Sequence, residues 1–356
     1  MTGPARRPLL CAVAGAPVLH SRSPELLGAA FEASGLAGRC VRLAASSAGE
    51  ALATARAAGM CGLSVTAPFK EEMAAIVGEL DPAARAAGAV NAVVLEDGKS
   101  LGCNTDFVGV AEALGESGLS LAGARVLVLG TGGAARAAAC ALTSAGSRVL
   151  VAGRDAEKAR ALAAAFGAEP ASLAPGSVPR IVGTCHALVS CMSTADRVVP
   201  PGALHARLTV LDAYYAGESA LVKDARAAGC RVVDGREWLL HQGAESFRLF
   251  TGRRAPPEAL RRGLAAAPGP VEKPNLAVVG FMGSGKDAVA RRLSARTGWP
   301  VFDADAEIER REGMSIPEIF AKRGEPAFRD LESEVLSRIA GVAGHVVNAG
   351  GGAVLR

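Results

Sequence analysis

Short apolar runs alternate with alanine-rich polar stretches along most of the 356-residue chain. From residue 8 to about 105 the runs LLCAVAG, CVRLAA, GLSVTA and AVNAVVLE read as strands between helices, predicting an α/β sheet covered on both faces. From 124 to about 235 the runs RVLVLG, SRVLVAG, HALVSCM, LTVLDAY and CRVVDG are almost continuously apolar, as in a parallel sheet buried on both sides. Residues 236 to 252 predict an amphipathic helix that returns to the first sheet. The following GRRAPPEALRRGLAAAPGPVEKPN carries proline, glycine and charge without a strand signal, which places a linker at 266–274. Beyond it NLAVVG, VFDADA and HVVNAGG predict three more strands, separated by the helix DAVARRLSARTG and two further helical stretches. The expected organisation is an α/β domain over 1–105 completed by 236–265, a Rossmann-like domain over 106–235, and a small P-loop α/β domain over 275–356. With three strands, that last piece is small for independent stability.

Two glycine-rich loops each follow a predicted strand. Gly130-Thr131-Gly132-Gly133-Ala134 follows RVLVL and lacks a lysine, so it reads as a dinucleotide turn whose amides face a pyrophosphate. The loop from Gly280 through Gly283 and Gly285 ends in Lys286 and reads as a P-loop for the β and γ phosphates of ATP. Asp287 stands where such loops usually place a serine or threonine for Mg²⁺; its carboxylate could ligate Mg²⁺ directly, but it also faces the triphosphate, so weakened nucleotide binding is expected.

Composition narrows the classes. Half of the residues are hydrophobic, yet no stretch approaches the roughly 18 uncharged apolar residues of a membrane span. The net charge of +4 is spread over helical stretches without a basic stripe, so nucleic acid is not an expected partner. The eight cysteines include no CxxC pair and no clustering with histidine, which suits reduced buried thiols and a cytoplasmic protein. The N-terminal MTGPARRPLLCAVAGA mimics a signal peptide but reads better as a leading strand before His20-Ser-Arg-Ser-Pro24. A monomer and a homodimer both remain open.

The first half also carries polar groups suited to carbonyl chemistry. Lys70 can deliver a proton to a developing alkoxide, and Asp106 can hold that lysine. The hydroxyls of Ser21, Ser23 and Thr66 and the amide of Asn91 offer the neutral hydrogen bonds a polyhydroxy acid requires. Plainer roles stand beside these: Ser23 and Asp106 as helix N-caps, Lys70 as a solvated charge at a helix start, Asn91 as a turn residue. At the end of the second Rossmann strand, Arg154 and Lys158 suit a 2′-phosphate while Asp155 suits a free 2′-hydroxyl; the balance favours NADP over NAD.

The ordered set HSRSP, VTAPFKEE, AGAVNAVV, NTD, GTGGAAR, DAYY and VVDG with Gln242 downstream resembles the shikimate dehydrogenase family over about residues 8–255. The resemblance implies reversible NADP-linked reduction of 3-dehydroshikimate to shikimate, in the pathway to chorismate and the aromatic amino acids. It implies Lys70 and Asp106 as the catalytic pair, Ser21, Ser23, Thr66, Asn91, Tyr215 and Gln242 as substrate contacts, and Gly235 near the nicotinamide. A quinate or aminoshikimate dehydrogenase, or a nonenzymatic nucleotide-binding protein, are the alternatives. The chain departs from the family at Gly153, Asp155, Ser190-Cys191-Met192 and Glu237-Trp238, the last two groups being expected close to the nicotinamide; Trp238 also suits core packing.

The tail resembles shikimate kinase through its P-loop, Asp303 and Asp305, Gly324-Glu-Pro-Ala-Phe-Arg329 and Gly350-Gly351-Gly352. By that resemblance Asp303 lies near Mg²⁺, while Asp305, Arg329 and the triple glycine hold substrate. The family's lid, further arginines and adenine-binding segment lie downstream of the triple glycine, so phosphotransfer is not expected of this chain.

Overall fold

The computed structural model describes residues 8–192, 197–215, 217–266, 275–280, 283–340, 342 and 344–350. The chain divides into a larger unit, 1–267, and a smaller one, 268–356. Most of the expected linker, 267–274, lies outside the described residues, as do the residues before Pro8.

In the larger unit the first sheet is built from β1 (Leu9–Gly15), α1 (Ser23–Ala33), β2 (Gly38–Ala44), α2 (Ala48–Ala57), β3 (Gly62–Val65), α3 (Lys70–Ile76), β4 (Glu79–Leu80), α4 (Pro82–Ala87), β5 (Ala92–Glu96) and β6 (Lys99–Cys103). Its strand order is β2-β1-β3-β5-β6-β4. The apolar run of β1 lies centrally, paired in parallel with β2 and β3 and mostly buried. The apolar pattern does not reveal β4 or β6, and it starts β5 at Ala89, ahead of its actual first residue, Ala92. Strands β5 and β6 pair antiparallel across Asp97-Gly98, whose φ values of 48° and 76° suit the mirror-image turn that matches strand twist. Val90 and Asn91 are drawn out of β5 because their amides bond the Lys70 and Cys103 carbonyls.

Helix α5 (Asp106–Glu116) leads into the second sheet, formed by β7 (Arg125–Leu129), α6 (Gly133–Ser144), β8 (Arg148–Ala152), α7 (Ala156–Ala165), β9 (Glu169–Pro170), α8 (Ser177–Val182), β10 (Ala187–Ser190), β11 (Thr209–Asp212), α9 (Ala220–Ala227) and β12 (Arg231–Val233). The order β12-β11-β10-β7-β8-β9 is parallel throughout, so the winding direction reverses between β7 and β10. Val126, Val128, Val149 and Val151 face one helical layer, and Leu127, Leu129, Leu150 and Leu188 the other. That double burial explains the unbroken apolar runs.

Helix α10 (Gly235–Thr251) returns to the first sheet and brings Leu239, Leu240, Phe247 and Phe250 into a core with Leu26, Leu27 and Phe31. The rings of Phe31 and Phe247 meet edge to face at 5.2 Å. The segment before the linker, which carries no strand signal, is helix α11 (Pro257–Ala265), opened by proline and burying Leu260 and Leu264.

The smaller unit contains β13 (Leu276–Val278), α12 (Lys286–Thr297), β14 (Val301–Asp303), α13 (Ala304–Glu312), α14 (Ile316–Ala340) and β15 (Val346–Asn348), with parallel order β13-β15-β14. Helix α14 is broken at Gly324. The core is Ala304, Ile308, Ile319, Phe328 and Val335, while Val279, Val289, Val301 and Val342 are exposed. Among the described residues no helix is long and apolar enough to cross a membrane.

Candidate functional site

The ends of β1, β3 and α3, the start of α5 and the glycine turn after β7 open on one cavity of about 650 Å³. Lys70 begins α3 and Asp106 begins α5, and the two helices bring Lys70 Nζ within 2.5 Å of Asp106 Oδ2. Both side chains are largely buried, at 15% and 9% exposure, so the attraction acts where water screens little. This geometry replaces the plainer roles considered from sequence. Lys70 is not a solvated charge, and Asp106 is not an N-cap: it is the first residue of α5 and its carboxylate is engaged by other side chains, while Asn104 Oδ1 accepts the Phe107 amide at 3.1 Å. The second carboxylate oxygen of Asp106 accepts from the indole N–H of Trp238 at 3.1 Å.

Beside the pair stand the neutral polar groups. Ser21, Ser23, Thr66, Asn91, Tyr215 and Gln242 all line the cavity. Ser21 is fixed through its carbonyl, which accepts from Arg42, and its hydroxyl bonds that of Ser23 at 3.3 Å. Ser23 therefore makes no side-chain cap to α1. Asn91 is not a simple turn residue. Its amide donates to Gln242 Oε1 at 3.3 Å and to Thr105 Oγ1 at 3.0 Å, and its Oδ1 accepts from the Thr105 amide at 2.7 Å. Burial raises the Tyr215 phenol above its ordinary value, opposed by its hydrogen bond with Ser21. Thr105 is a hub that sequence reading passed over, although it sits inside the NTD triplet.

The dinucleotide turn forms the opposite wall. Gly130, Thr131, Gly132, Gly133 and Ala134 line the cavity, with Gly235 and the side chains of Arg154 and Lys158. Gly130 has φ 122°, and a Cβ there would sit 3.2 Å from the Cys191 carbonyl; at Gly133 it would press on the Lys70 stem at 3.0 Å. The turn thus approaches both the switch point and the lysine as closely as backbone allows. Helix α6 starts with no side-chain cap, leaving its first amides and its positive dipole end for a phosphate. These residues fit a dinucleotide. Asp155 Oδ1 caps α7 by accepting from the Glu157 and Lys158 amides at 3.1 Å each, and its Oδ2 lies 3.7 Å from Lys158 Nζ. Those bonds, the Lys158 amide first, hold its carboxyl below the ordinary value. Arg154 is exposed at the same rim.

Of the departures noted in the sequence, Gly153, Asp155, Cys191, Met192 and Trp238 line the cavity, but Ser190 and Glu237 do not. Glu237 turns to α11, where Arg261 meets both its oxygens at 2.7 Å. Burial pushes the Cys191 thiol up, with the Asp106 carboxylate adding to it.

In the smaller unit Gly280, Gly283 and Gly285 all have positive φ, and Lys286 opens α12. Asn348 donates to Asp287 Oδ1 at 2.8 Å and to Asp303 Oδ2 at 2.9 Å, bringing both carboxylates to the end of β15. Asp303 also caps α13 through the Ala306 amide. Arg329 pairs with Glu332 at 2.9 Å, and Asp305 Oδ1 and Glu332 Oε1 converge on Gly350. Burial, then Asp303 and Glu332, raise the Asp305 carboxyl above its ordinary value. Gly351 and Gly352 lie outside the described residues.

A doubly wound parallel sheet, its glycine turn at the switch point, and a facing sheet that presents a buried lysine–carboxylate pair define a dinucleotide-dependent oxidoreductase of two α/β layers. Three family models match it in chain order: shikimate dehydrogenase substrate binding domain over 13–93, shikimate/quinate 5-dehydrogenase over 111–210, and shikimate 5′-dehydrogenase C-terminal domain over 235–262. A shikimate kinase model matches 282–356. The chain is 43% identical to the shikimate dehydrogenase (NADP(+)) of Halobacterium salinarum over 260 residues, 71% of this chain and 97% of that one. It superposes on the Thermus thermophilus shikimate 5-dehydrogenase, solved with NADP(H) and shikimate, at TM-score 0.66 and 33% identity, covering 72% of this chain and 98% of that one. The quinate dehydrogenase of Corynebacterium glutamicum, solved with NAD, matches at TM-score 0.66 and 27% identity over 73% of this chain and 99% of that one. The chain belongs to the shikimate dehydrogenase family.

Proposed function

We propose that the larger unit catalyses the reversible NADP-linked reduction of 3-dehydroshikimate to shikimate, in the route to chorismate and aromatic amino acids. The observation that carries this is the buried Lys70–Asp106 pair, 2.5 Å apart, in the same cavity as the glycine turn. NADPH supplies the hydride when bound. Lys70 gives a proton from Nζ to the substrate oxygen as it becomes a hydroxyl, and takes it back in the oxidative direction. Asp106 holds Nζ in place. Ser21, Ser23, Thr66, Asn91, Tyr215 and Gln242 bind the substrate's hydroxyl and carboxylate oxygens, and Gly235 leaves room beside the nicotinamide.

NADP is preferred because Arg154 and Lys158 stand at the rim and Asp155 is engaged by α7. On this reading 1–105 with 236–265 forms the substrate domain, 106–235 the cofactor domain, and 275–356 a separate kinase-like domain. ATP and Mg²⁺ would be held there by Lys286 and Asp303, with Asp287 weakening the site. The test is product analysis with the purified chain and shikimate, quinate or aminoshikimate. Shikimate as the best substrate, with Lys70→Ala still binding it but not turning it over, supports the assignment. Higher turnover of quinate would move the substrate assignment, and full activity of Lys70→Ala would remove Lys70 from the mechanism.

A further inference from the structure

The environment of Asp106 contains a group that neither composition nor spacing brings near it. Trp238 lies 132 positions along the chain, on α10, and its Nε1–H donates to Asp106 Oδ1 at 3.1 Å. Both residues are buried. Each carboxylate oxygen therefore has one identified donor, Lys70 on Oδ2 and Trp238 on Oδ1. A carboxylate in the first turn of a helix is favoured there by the helix dipole alone. Here Asp106, the first residue of α5, has both oxygens engaged by side chains, Lys70 and Trp238, and so is held between them.

The helix crossing is shaped for this contact. One turn beyond Asp106, a Cβ at Gly109 would lie 2.6 Å from Trp238 Cδ1 and 3.0 Å from the Trp238 carbonyl oxygen. Glycine is the poorest ordinary helix former apart from proline, so its place inside α5 needs a packing reason. The close approach of α10 at that point supplies it. Gly235, at the start of α10, is equally tight against the Asp212 carbonyl, which fixes where the helix begins.

We infer that Trp238 is a positioning residue for the reduction, acting through Asp106: its N–H locks the carboxylate plane so that one oxygen faces Lys70 and the lysine is held toward the cavity. The inference rests on the reading of Lys70 and Asp106 as the catalytic pair. An indole that only filled the core would serve equally well with its N–H removed.

Trp238→Phe in the full chain keeps an aromatic ring and removes the donor. The expected result is a fall of about ten-fold in kcat with KM for shikimate within two-fold, as for loss of one hydrogen bond to a charged group. In an Asp106→Ala background the same change costs less than two-fold, because the acceptor is gone. A kcat for Trp238→Phe within two-fold of the parent, or an equal ten-fold loss in both backgrounds, overturns the inference. If Trp238→Phe does not fold, the indole N–H resonance serves instead. The chain has two tryptophans, so Trp299→Phe leaves that of Trp238 alone. Asp106→Ala then shifts it, and an unmoved resonance overturns the inference. Full turnover by Asp106→Asn itself would defeat the catalytic-pair reading; loss in Asp106→Asn with none in Trp238→Phe defeats only the positioning role.

Discussion

The two glycine loops of this chain sit in units of very different completeness. In the larger unit both faces of the parallel sheet are covered, and the charged pair at its mouth has a partner on every oxygen of Asp106. In the smaller unit three strands support a five-residue core, and Asp305 Oδ1, Glu332 Oε1 and Asn348 Oδ1 are buried without a hydrogen-bond partner among the described residues. Buried polar groups without partners cost stability. A nucleotide-loop motif is therefore legible in sequence whether or not the surrounding layers complete it. Buried polar atoms without a hydrogen bond occur in both units, and what separates them is depth of core and the pairing of the carboxylate at the site, complete for Asp106 and incomplete for Asp305 among the described residues.

The largest expected effect breaks the comparison at its strongest point. Lys70→Ala lowers kcat by about a thousand-fold, measured by reduced-nicotinamide absorbance, and also lowers Tm because it leaves the buried Asp106 carboxylate without its cation. If kcat survives, the completeness of the larger unit has been misread as catalytic. Arg154→Ala raises KM for NADP about thirty-fold and leaves that for NAD unchanged, as expected of one lost charge-assisted contact. Equal losses for both cofactors would show that Arg154 does not read the 2′-phosphate. Asp287→Thr tightens MgATP binding about ten-fold by calorimetry, since it removes a negative charge facing the phosphates.

The difference in cores is sharpened by denaturation, because each unit carries one tryptophan, Trp238 and Trp299. Fluorescence of Trp238→Phe, which reports Trp299, is expected to change at lower urea than that of Trp299→Phe, which reports Trp238. Coincident transitions would show that the units unfold as one.

The smallest effect comes from pH. Burial pushes the Cys61 and Cys185 thiols up to about 11, from an ordinary value of 9.0. A raised folded-state value means the unfolded chain releases those protons first, so their contribution is intact below pH 9 and is lost as pH rises through about 11. Tm of the larger unit is expected to fall by about 5 °C over that window, and less in Cys185→Ala.

How far the sequence leads is clearest at particular residues. Five strands of the second sheet announce themselves because they are largely buried, whereas the exposed edge strand β9 leaves no apolar signal, and Lys70, Asp106 and the glycine turn stand in an ordered set of short motifs. Strand β6 escapes the apolar pattern, although Asp97-Gly98 between AVVLE and KSLGC is a strong hairpin signal. The cap formed by Asp155 is equally readable, as an aspartate before an alanine-rich helix, once it is weighed against the helix and not only against the ribose. Trp238 stands out in sequence as a departure, but its bond to Asp106 depends on how α5 and α10 cross, which no local pattern encodes. Glu237 is expected near the nicotinamide, and its pairing with Arg261 on an unforeseen helix turns it away.

The most direct measurement is shikimate-dependent reduction of NADP and, in parallel, NAD by the purified full chain. Turnover with kcat/KM at least about ten-fold higher for NADP, abolished in Lys70→Ala, is the predicted result. A folded chain that turns over neither cofactor with shikimate, or a Lys70→Ala variant as active as the parent, would contradict the account.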